Sequence, residues 1–227
     1  MKPSKPKVLF FDVNESLLDL KELKITVGKA LNGREGLAPL WFSMLLHHSL
    51  VSTASNQFAD FSQIAVATLQ MVATQNNIVL HKEKAKEVIQ HFQKLSPHPE
   101  VEEALALLKS AGYQLVALTN SSEKAMNAQL RNAGISSFFD AQLSVETLGT
   151  YKPHKKVYQW AAEKQGVTLN ECMLIAAHGW DVAGALWAGA RAAFIARPQQ
   201  ELYPLAPLPE IHEKNLLDIA KKLIAMG

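Results

Sequence analysis

Lys7-Val8-Leu9-Phe10-Phe11-Asp12-Val13-Asn14-Glu15-Ser16-Leu17-Leu18-Asp19 is the stretch on which the reading of the chain turns. Val8 to Phe11 is a continuous apolar run, the pattern of a strand buried on both faces, and it stops abruptly on a carboxylate. In open α/β sheets ligands bind just beyond the carboxyl ends of the strands, so Asp12 stands where a substrate would be met. An Asp in this place can also do no more than cap the following turn. The rest of the chain separates the two readings.

With 227 residues, 48% of them hydrophobic, the chain can build one sizeable core, or one core and a smaller attached module. The formal net charge of +2, with no dense run of Lys or Arg, argues against a nucleic-acid partner and for a small molecule. The single cysteine, Cys172, sits in Cys172-Met173-Leu174-Ile175-Ala176-Ala177, where a buried small hydrophobe fits better than a nucleophile or a ligand. The basic N-terminus, Met1 to Lys7, is followed by too short an apolar run for a secretory leader. No run approaches the roughly 20 apolar residues needed to cross a bilayer. These features predict a soluble cytoplasmic protein without a membrane partner.

Residues 20–94 lack strand-like alternation and predict helices, among them 39–50, 58–75 and 82–94, separated by turn-prone pieces such as Asn32-Gly33-Arg34-Glu35-Gly36. From Pro97 onward, short apolar strands alternate with helices. Strands are predicted at 114–119, 141–145, 172–177 and 192–196; Val101, Leu105 and Leu108 fall on one helical face, Ser121 or Ser122 can cap a helix running to about residue 132, and further helices are predicted at 155–165, 182–188 and 210–225. Gly112, Gly134 and Gly166 follow the ends of three of these helices. Residues 198–209, rich in proline, read as an irregular surface connection. The alternation predicts an α/β fold, a doubly wound parallel sheet with helices on both faces, interrupted by an inserted all-helical segment. The expected division is a core of residues 1–19 and 96–227 and a helical module of residues 20–95.

Right-handed crossovers place every strand's carboxyl end on one rim. The residues that follow the strands form a restricted set: Asp12 and Ser16 after the first, Thr119-Asn120-Ser121 after the second, Lys152 a short loop after the third, and His178 to Asp181 after the fourth. Singly, each has a structural explanation as a helix cap, a surface lysine or a first-turn acid. Together they offer two carboxylates and an ammonium. A lysine between two carboxylates stays protonated and keeps both acids ionised, which suits a nucleophilic Asp and a second acid that orients or activates water.

The set Asp12 with Ser16, Thr119-Asn120-Ser121, Tyr151-Lys152-Pro153 with Tyr158, and Trp180-Asp181 resembles the haloacid dehalogenase superfamily, in particular its L-2-haloacid dehalogenase branch. The resemblance spans nearly the whole chain and implies a Rossmann-like core with a helical cap. It further implies a two-step hydrolysis without a cofactor or a metal. Asp12 attacks the carbon bearing the halogen of a short 2-haloacid, and water activated near Asp181 and Lys152 then hydrolyses the ester to a 2-hydroxy acid. Ser16, Thr119, Asn120, Ser121 and Tyr158 fall at the implied binding positions, and a homodimer is implied as well.

The pattern departs from the branch at three places. Asp12-Val13-Asn14-Glu15-Ser16 stands for Asp-x-Tyr-Gly-Thr, and Trp41 is followed by Phe42 in place of the arginine that holds the halide. The halide partners left are then Asn120 and the ring edges of Trp41 or Phe42. Ala176-Ala177-His178-Gly179-Trp180-Asp181 stands for Ser-Ser-Asn-x-Trp-Asp, which brings an imidazole, His178, beside the nucleophile, able to orient the hydrolytic water or act as a base. Two other functions fit the fold. The superfamily's phosphatases carry a second Asp where Asn14 stands, and an amide cannot protonate a leaving group. A chain without the arginine could also have kept the fold as a binding protein. His47-His48 has no acids at ligand spacing.

Overall fold

The computed structural model describes residues 5–226, so Met1 to Ser4, where the basic N-terminal segment and the expected core begin, lie outside the described residues. Strand β1, Val8–Phe11, is buried along its whole length. It is the middle of a six-stranded sheet with β2 (Gln114–Thr119), β3 (Ala141–Ser144), β4 (Cys172–Ala176), β5 (Arg191–Ile195) and β6 (Ile211–Glu213), in the order β3-β2-β1-β4-β5-β6. Every pairing is parallel. The apolar run thus reads as it does because both edges of β1 are hydrogen-bonded and both its faces are covered. Phe11 lies level with Ala117 on β2 and with Ile175 on β4, so Asp12 emerges between the ends of two neighbours.

The helices between strands are α5 (Val101–Ser110), α6 (Glu123–Asn132), α7 (Lys155–Lys164) and α8 (Gly179–Ala188), and α9 (Leu216–Met226) follows β6. They follow α1 (Lys21–Ala30), α2 (Ala38–Ala54), α3 (Phe61–Gln75) and α4 (Lys82–Ile89), which occupy the interval between β1 and β2. That interval opens and closes at one place. Leu18 bridges Pro97, the Asp19 N–H donates to the Ser96 carbonyl at 2.9 Å, and the His98 N–H donates to the Leu17 carbonyl at 2.9 Å.

Helix α2 runs four residues past the expected end at residue 50, strands β3, β4 and β5 shift by one residue, and four further boundaries differ from the sequence reading for a local reason. Helix α3 begins at Phe61 and not at residue 58, because the Asp60 carboxylate accepts the N–H groups of Ser62 and Gln63 and caps it there. The helix expected over 82–94 tightens into a 3₁₀ turn from Gln90 to Lys94. Residues 210–225 are not one helix. Ile211–Glu213 pairs with β5 as the sheet's edge, and the Asn215 side chain accepts the Asp218 N–H at 2.9 Å and starts α9 afresh. Helix α8 begins at Gly179, earlier than residue 182, which puts Asp181 in its first turn. A Cβ at position 179 would come within 2.1 Å of the Glu201 carbonyl oxygen, so only glycine permits that start. Residues between Ile195 and Ile211 form no helix or strand, as the prolines suggest.

Cys172 opens the central strand β4 and is fully buried. Burial, with Glu171 next to it, pushes its thiol up to about 12. The folded chain is therefore expected to resist a thiol reagent at neutral pH and to react stoichiometrically in denaturant. Equal labelling rates in the two conditions, followed by absorbance, would contradict the buried placement.

Candidate active site

The Asp12 side chain leaves the end of β1 and accepts three hydrogen bonds. Lys152 Nζ donates to Oδ1 at 2.8 Å, while the Ser16 hydroxyl at 2.6 Å and His178 Nδ1 at 2.9 Å both reach Oδ2. Lys152 Nζ also donates to Asp181 Oδ2 at 2.5 Å, and the Tyr158 hydroxyl donates to Asp181 Oδ1 at 2.6 Å. One ammonium therefore lies between two carboxylates, and Lys152 and Asp181 are almost wholly buried, at 1% and 0% exposure.

Each of these groups is held from behind. The Ser16 hydroxyl accepts the Ala177 N–H at 2.8 Å, so its own proton is left for Asp12. Asn120 accepts the backbone N–H of Lys152 on its Oδ1 at 3.0 Å, fixing both the lysine's starting point and the orientation of its own amide. Thr119 Oγ1 accepts the Ser121 N–H at 3.1 Å, and the Ser121 carbonyl accepts the Ser144 hydroxyl at 2.7 Å. Together these bonds set the loop after β2. Asn14 points away from the Asp12 carboxylate: its amide donates to Ser121 Oγ at 3.2 Å, and its Oδ1 accepts from Gln129 at 2.9 Å.

Of the two aromatic residues singled out in α2, the structure brings Phe42 to the site. Its ring stacks on His178 with centroids 6.0 Å apart and planes 24° apart. Trp41 is buried, gives its indole N–H to the Ala65 carbonyl at 3.0 Å and packs edge-on against Phe42. The imidazole also stacks on Trp180, at 5.2 Å and 25°.

The charges interact strongly in this dry environment. Burial pushes the Asp12 carboxyl up, but the Lys152 ammonium and the contacts from His178 outweigh it and hold Asp12 below the usual carboxylate range. At Asp181 burial prevails, helped by the charge of Asp12, and lifts that carboxyl above its ordinary value in spite of Lys152. Burial opposes the Lys152 ammonium, yet Asp12 and then Asp181 raise it. Burial and Asp181 raise the Tyr158 phenol well above its ordinary value, so it donates as O–H.

Two residues of this arrangement escaped the sequence reading. Arg197, just past β5, donates from Nη2 to the Ser16 carbonyl at 2.9 Å and pairs through Nη1 with Glu100 at 2.7 Å. The rule that found the other rim residues, inspection of each strand end, would have found it too. Gly184 carries no such signal. A Cβ there would lie 2.3 Å from Pro153 Cβ and 2.8 Å from the Tyr158 hydroxyl.

The model of haloacid dehalogenase-like hydrolases matches residues 6–189, most of the chain and every strand described above but β5 and β6. The chain belongs to that family. Within the family it is 29% identical over 220 residues to (S)-2-haloacid dehalogenase 4A of Burkholderia cepacia, covering 95% of this chain and 93% of the relative. It is 25% identical over 194 residues to haloacetate dehalogenase H-2 of a Moraxella species, covering 85% and 87%. The fold is that of the L-2-haloacid dehalogenase of Xanthobacter autotrophicus, with a TM-score of 0.91 over 97% of this chain and 99% of that one at 24% identity. The resemblance drawn from the rim residues therefore holds, and the chain is a hydrolase of the haloacid dehalogenase type.

The close approach at Gly184 yields a specific expectation. Gly184→Ala forces Pro153 and Tyr158 apart, at a cost of about 1–3 kcal/mol, and moves the groups that hold Lys152 and Asp181. Thermal unfolding should show the loss, and turnover should fall further than the change in stability accounts for. An unchanged melting temperature would show that the helix gives way instead.

Proposed function

We propose that the chain hydrolyses short 2-haloalkanoic acids to 2-hydroxy acids through an ester on Asp12. The single observation that carries this reading is the Asp12–Lys152–Asp181 triad at the sheet's rim, with its unequal carboxylates. Asp12, held ionised, is the nucleophile: its oxygen bonds to C2 as the carbon–halogen bond breaks and halide departs. Water then attacks the carboxyl carbon of the ester and gives its proton to Asp181, the more basic carboxylate; Lys152 stabilises the charge throughout. The tetrahedral intermediate collapses with cleavage of the bond between the acyl carbon and the C2 oxygen, the departing alkoxide takes the proton back from Asp181, Asp12 loses its remaining proton to solvent, and the hydroxy acid leaves. The named activities of the relatives support the reading, as does the Xanthobacter structure with chloropropionic acid covalently bound, which matches with a TM-score of 0.91 at 23% identity.

The remaining roles follow from the geometry. Asn120 spends its oxygen on Lys152, which leaves its amide N–H groups to bind the substrate beside Ser121, Thr119 and Ser16. Tyr158 orients Asp181. Residues 20–95 act as the cap, which brings Phe42 over the nucleophile, and residues 5–19 and 96–226 as the core. We also propose a homodimer through α2, whose Leu40, Leu50 and Val51 are 43%, 45% and 44% exposed.

A phosphatase reading has less to rest on. The amide of Asn14 faces Ser121 and Gln129, and an amide has no proton to give a leaving alkoxide. The contrast is directly measurable. The native chain should release halide from chloroacetate, fluoroacetate or 2-chloropropionate with or without a chelator, and Asp12→Asn should not. Single turnover in ¹⁸O-labelled water should leave label in the Asp12 peptide. Absence of halide release, with Mg²⁺-dependent release of p-nitrophenol from its phosphate, would replace this function by the phosphatase.

The unequal carboxylates also fix the sign of a pH effect. Asp181 is raised, so as the pH falls it takes up a proton before Asp12 does. The acid limb of the ester-hydrolysis rate, followed in single turnover, should therefore fall above the ordinary carboxylate range and report Asp181. A limb below that range would assign it to Asp12 and remove Asp181 as the base.

A further inference from the structure

Among the described residues, five other than glycine have a positive φ: Glu15, Asn32, Asn56, Asn77 and Gln199. The last four lie in exposed turns, and the three asparagines among them tolerate the left-handed region. Glu15, at φ 65°, is buried, with 7% exposure, and a glutamate has no such tolerance. It lies in the loop after Asp12, immediately before the Ser16 whose hydroxyl reaches that carboxylate at 2.6 Å. A strained backbone and a buried carboxylate both oppose folding, and a glycine here would carry neither. What the groups of Glu15 hold has to account for the residue.

Those groups hold different parts of the chain. The Glu15 N–H donates to the Leu18 carbonyl at 2.9 Å and closes the loop on itself. The Glu15 carbonyl accepts from His98 Nε2 at 2.9 Å, just past the place where the inserted helices rejoin the core. Next in the chain, the Ser16 carbonyl accepts from Arg197 Nη2 at 2.9 Å. The backbone of the loop is thus tied to the core, whereas the Glu15 side chain reaches the other way. Its Oε1 accepts from Lys24 Nζ at 2.9 Å, on α1, the first of the inserted helices. Its Oε2 is buried without a partner, so the pair with Lys24 is what fixes the side chain. Packing does not fill this joint. A cavity of about 550 Å³ lies there, lined by Lys24, Ile25 and Pro39 from the inserted helices and by Glu15, His98 and Arg197 from the core.

We infer that Glu15 is a positioning residue that locks α1 to the nucleophile's loop through Lys24, so that seating the cap and aligning Asp12 are one event. The inference rests on the dehalogenase reading for what the alignment achieves. With the pair formed, the left-handed turn at Glu15 is held from both sides, by Lys24 of the cap and by His98 of the core, and hands the chain on to Ser16 and its bond to Asp12. With the pair broken, the cavity leaves α1 room to shift, and the loop loses the ion pair through which it follows the cap. Asp12 must approach C2 in line with the departing halide, so a small displacement slows attack even on a bound substrate. Glu15 itself makes and breaks no bond.

Three variants test the lock. Glu15→Gln keeps the size of the side chain and removes its charge, Lys24→Met removes the charge at the other end, and Lys24→Arg keeps it. In single turnover with 2-chloropropionate, Glu15→Gln and Lys24→Met should each slow halide release about fivefold, the reach of a partly exposed pair. The double variant should be no slower than either, because both cut the same tie. Lys24→Arg should recover the native rate. Hydrogen exchange reads the lock without turnover: in both charge-removing variants the amides of residues 15–18 and 21–30 should exchange about fivefold faster, with those of 114–119 unchanged. A pair that served stability alone would lower the melting temperature and leave the single-turnover rate of the folded chain as it was. Native halide release, or native exchange over 21–30, in Lys24→Met overturns the inference while the dehalogenase reading stands. If the native chain releases no halide, that reading falls and exchange alone decides the lock: faster exchange in both segments sustains it, and anything less removes it.

Discussion

The structure depends on one buried ammonium shared by two acids. Lys152 Nζ lies 2.8 Å from Asp12 and 2.5 Å from Asp181, with almost no access to water. Two carboxylates this close in an apolar setting cannot both ionise unless a cation lies between them, and a lysine buried this deeply would lose its proton without them. Each charge is therefore a condition for the others. Such a group adds little net stability, since desolvation offsets most of the attraction. What it secures is position: three side chains from three separate strand ends are tied to one point.

That point is then made asymmetric. Asp12 has Ser16 and His178 as additional donors, and Asp181 has only Tyr158. The two acids are similar in burial and differ in their surroundings, which hold Asp12 ionised further into acid than Asp181. The proposed nucleophile and the proposed base are thus distinguished by environment, a division of roles that pKa tuning permits between chemically identical groups. The backbone takes part as well, for the Ala177 N–H directs the Ser16 proton and Arg197 anchors the Ser16 carbonyl.

Much of this was legible in the sequence, for physical reasons. A strand buried on both faces must be apolar throughout, so β1, β2 and β4 declare themselves, and the first polar residues beyond them declare the rim. Asp12, Asn120, Lys152, His178 and Asp181 were found in that way. The rest was hidden where few residues decide the outcome. Strand β6 has three residues, too short for alternation to register, and its apolar Ile211 merges with the pattern of α9. Helix α8 starts on Gly179, a residue that reads as a turn, because what requires glycine there is the carbonyl of Glu201, distant in the chain. Gly184 and Gln129 are likewise explained by neighbours that the fold alone brings near. Trp41 was legible as an aromatic in α2, but whether an indole turns to the site or into the helical packing is decided by a carbonyl on another helix.

The bridge between Leu18 and Pro97, with the bonds from Asp19 to Ser96 and from His98 to Leu17, makes the intervening helices a loop whose two ends are pinned together. An excursion closed at its base can lengthen, shorten or be replaced with only a slowly growing entropic cost, while the β-strands on either side keep their register. Changes of length in that excursion are thereby kept from the register of the strands that carry the triad. This architecture lets the excursion change which molecules it admits while the strands beneath keep their places, and Phe42, which α2 stacks on His178, is the residue through which such a change reaches the site.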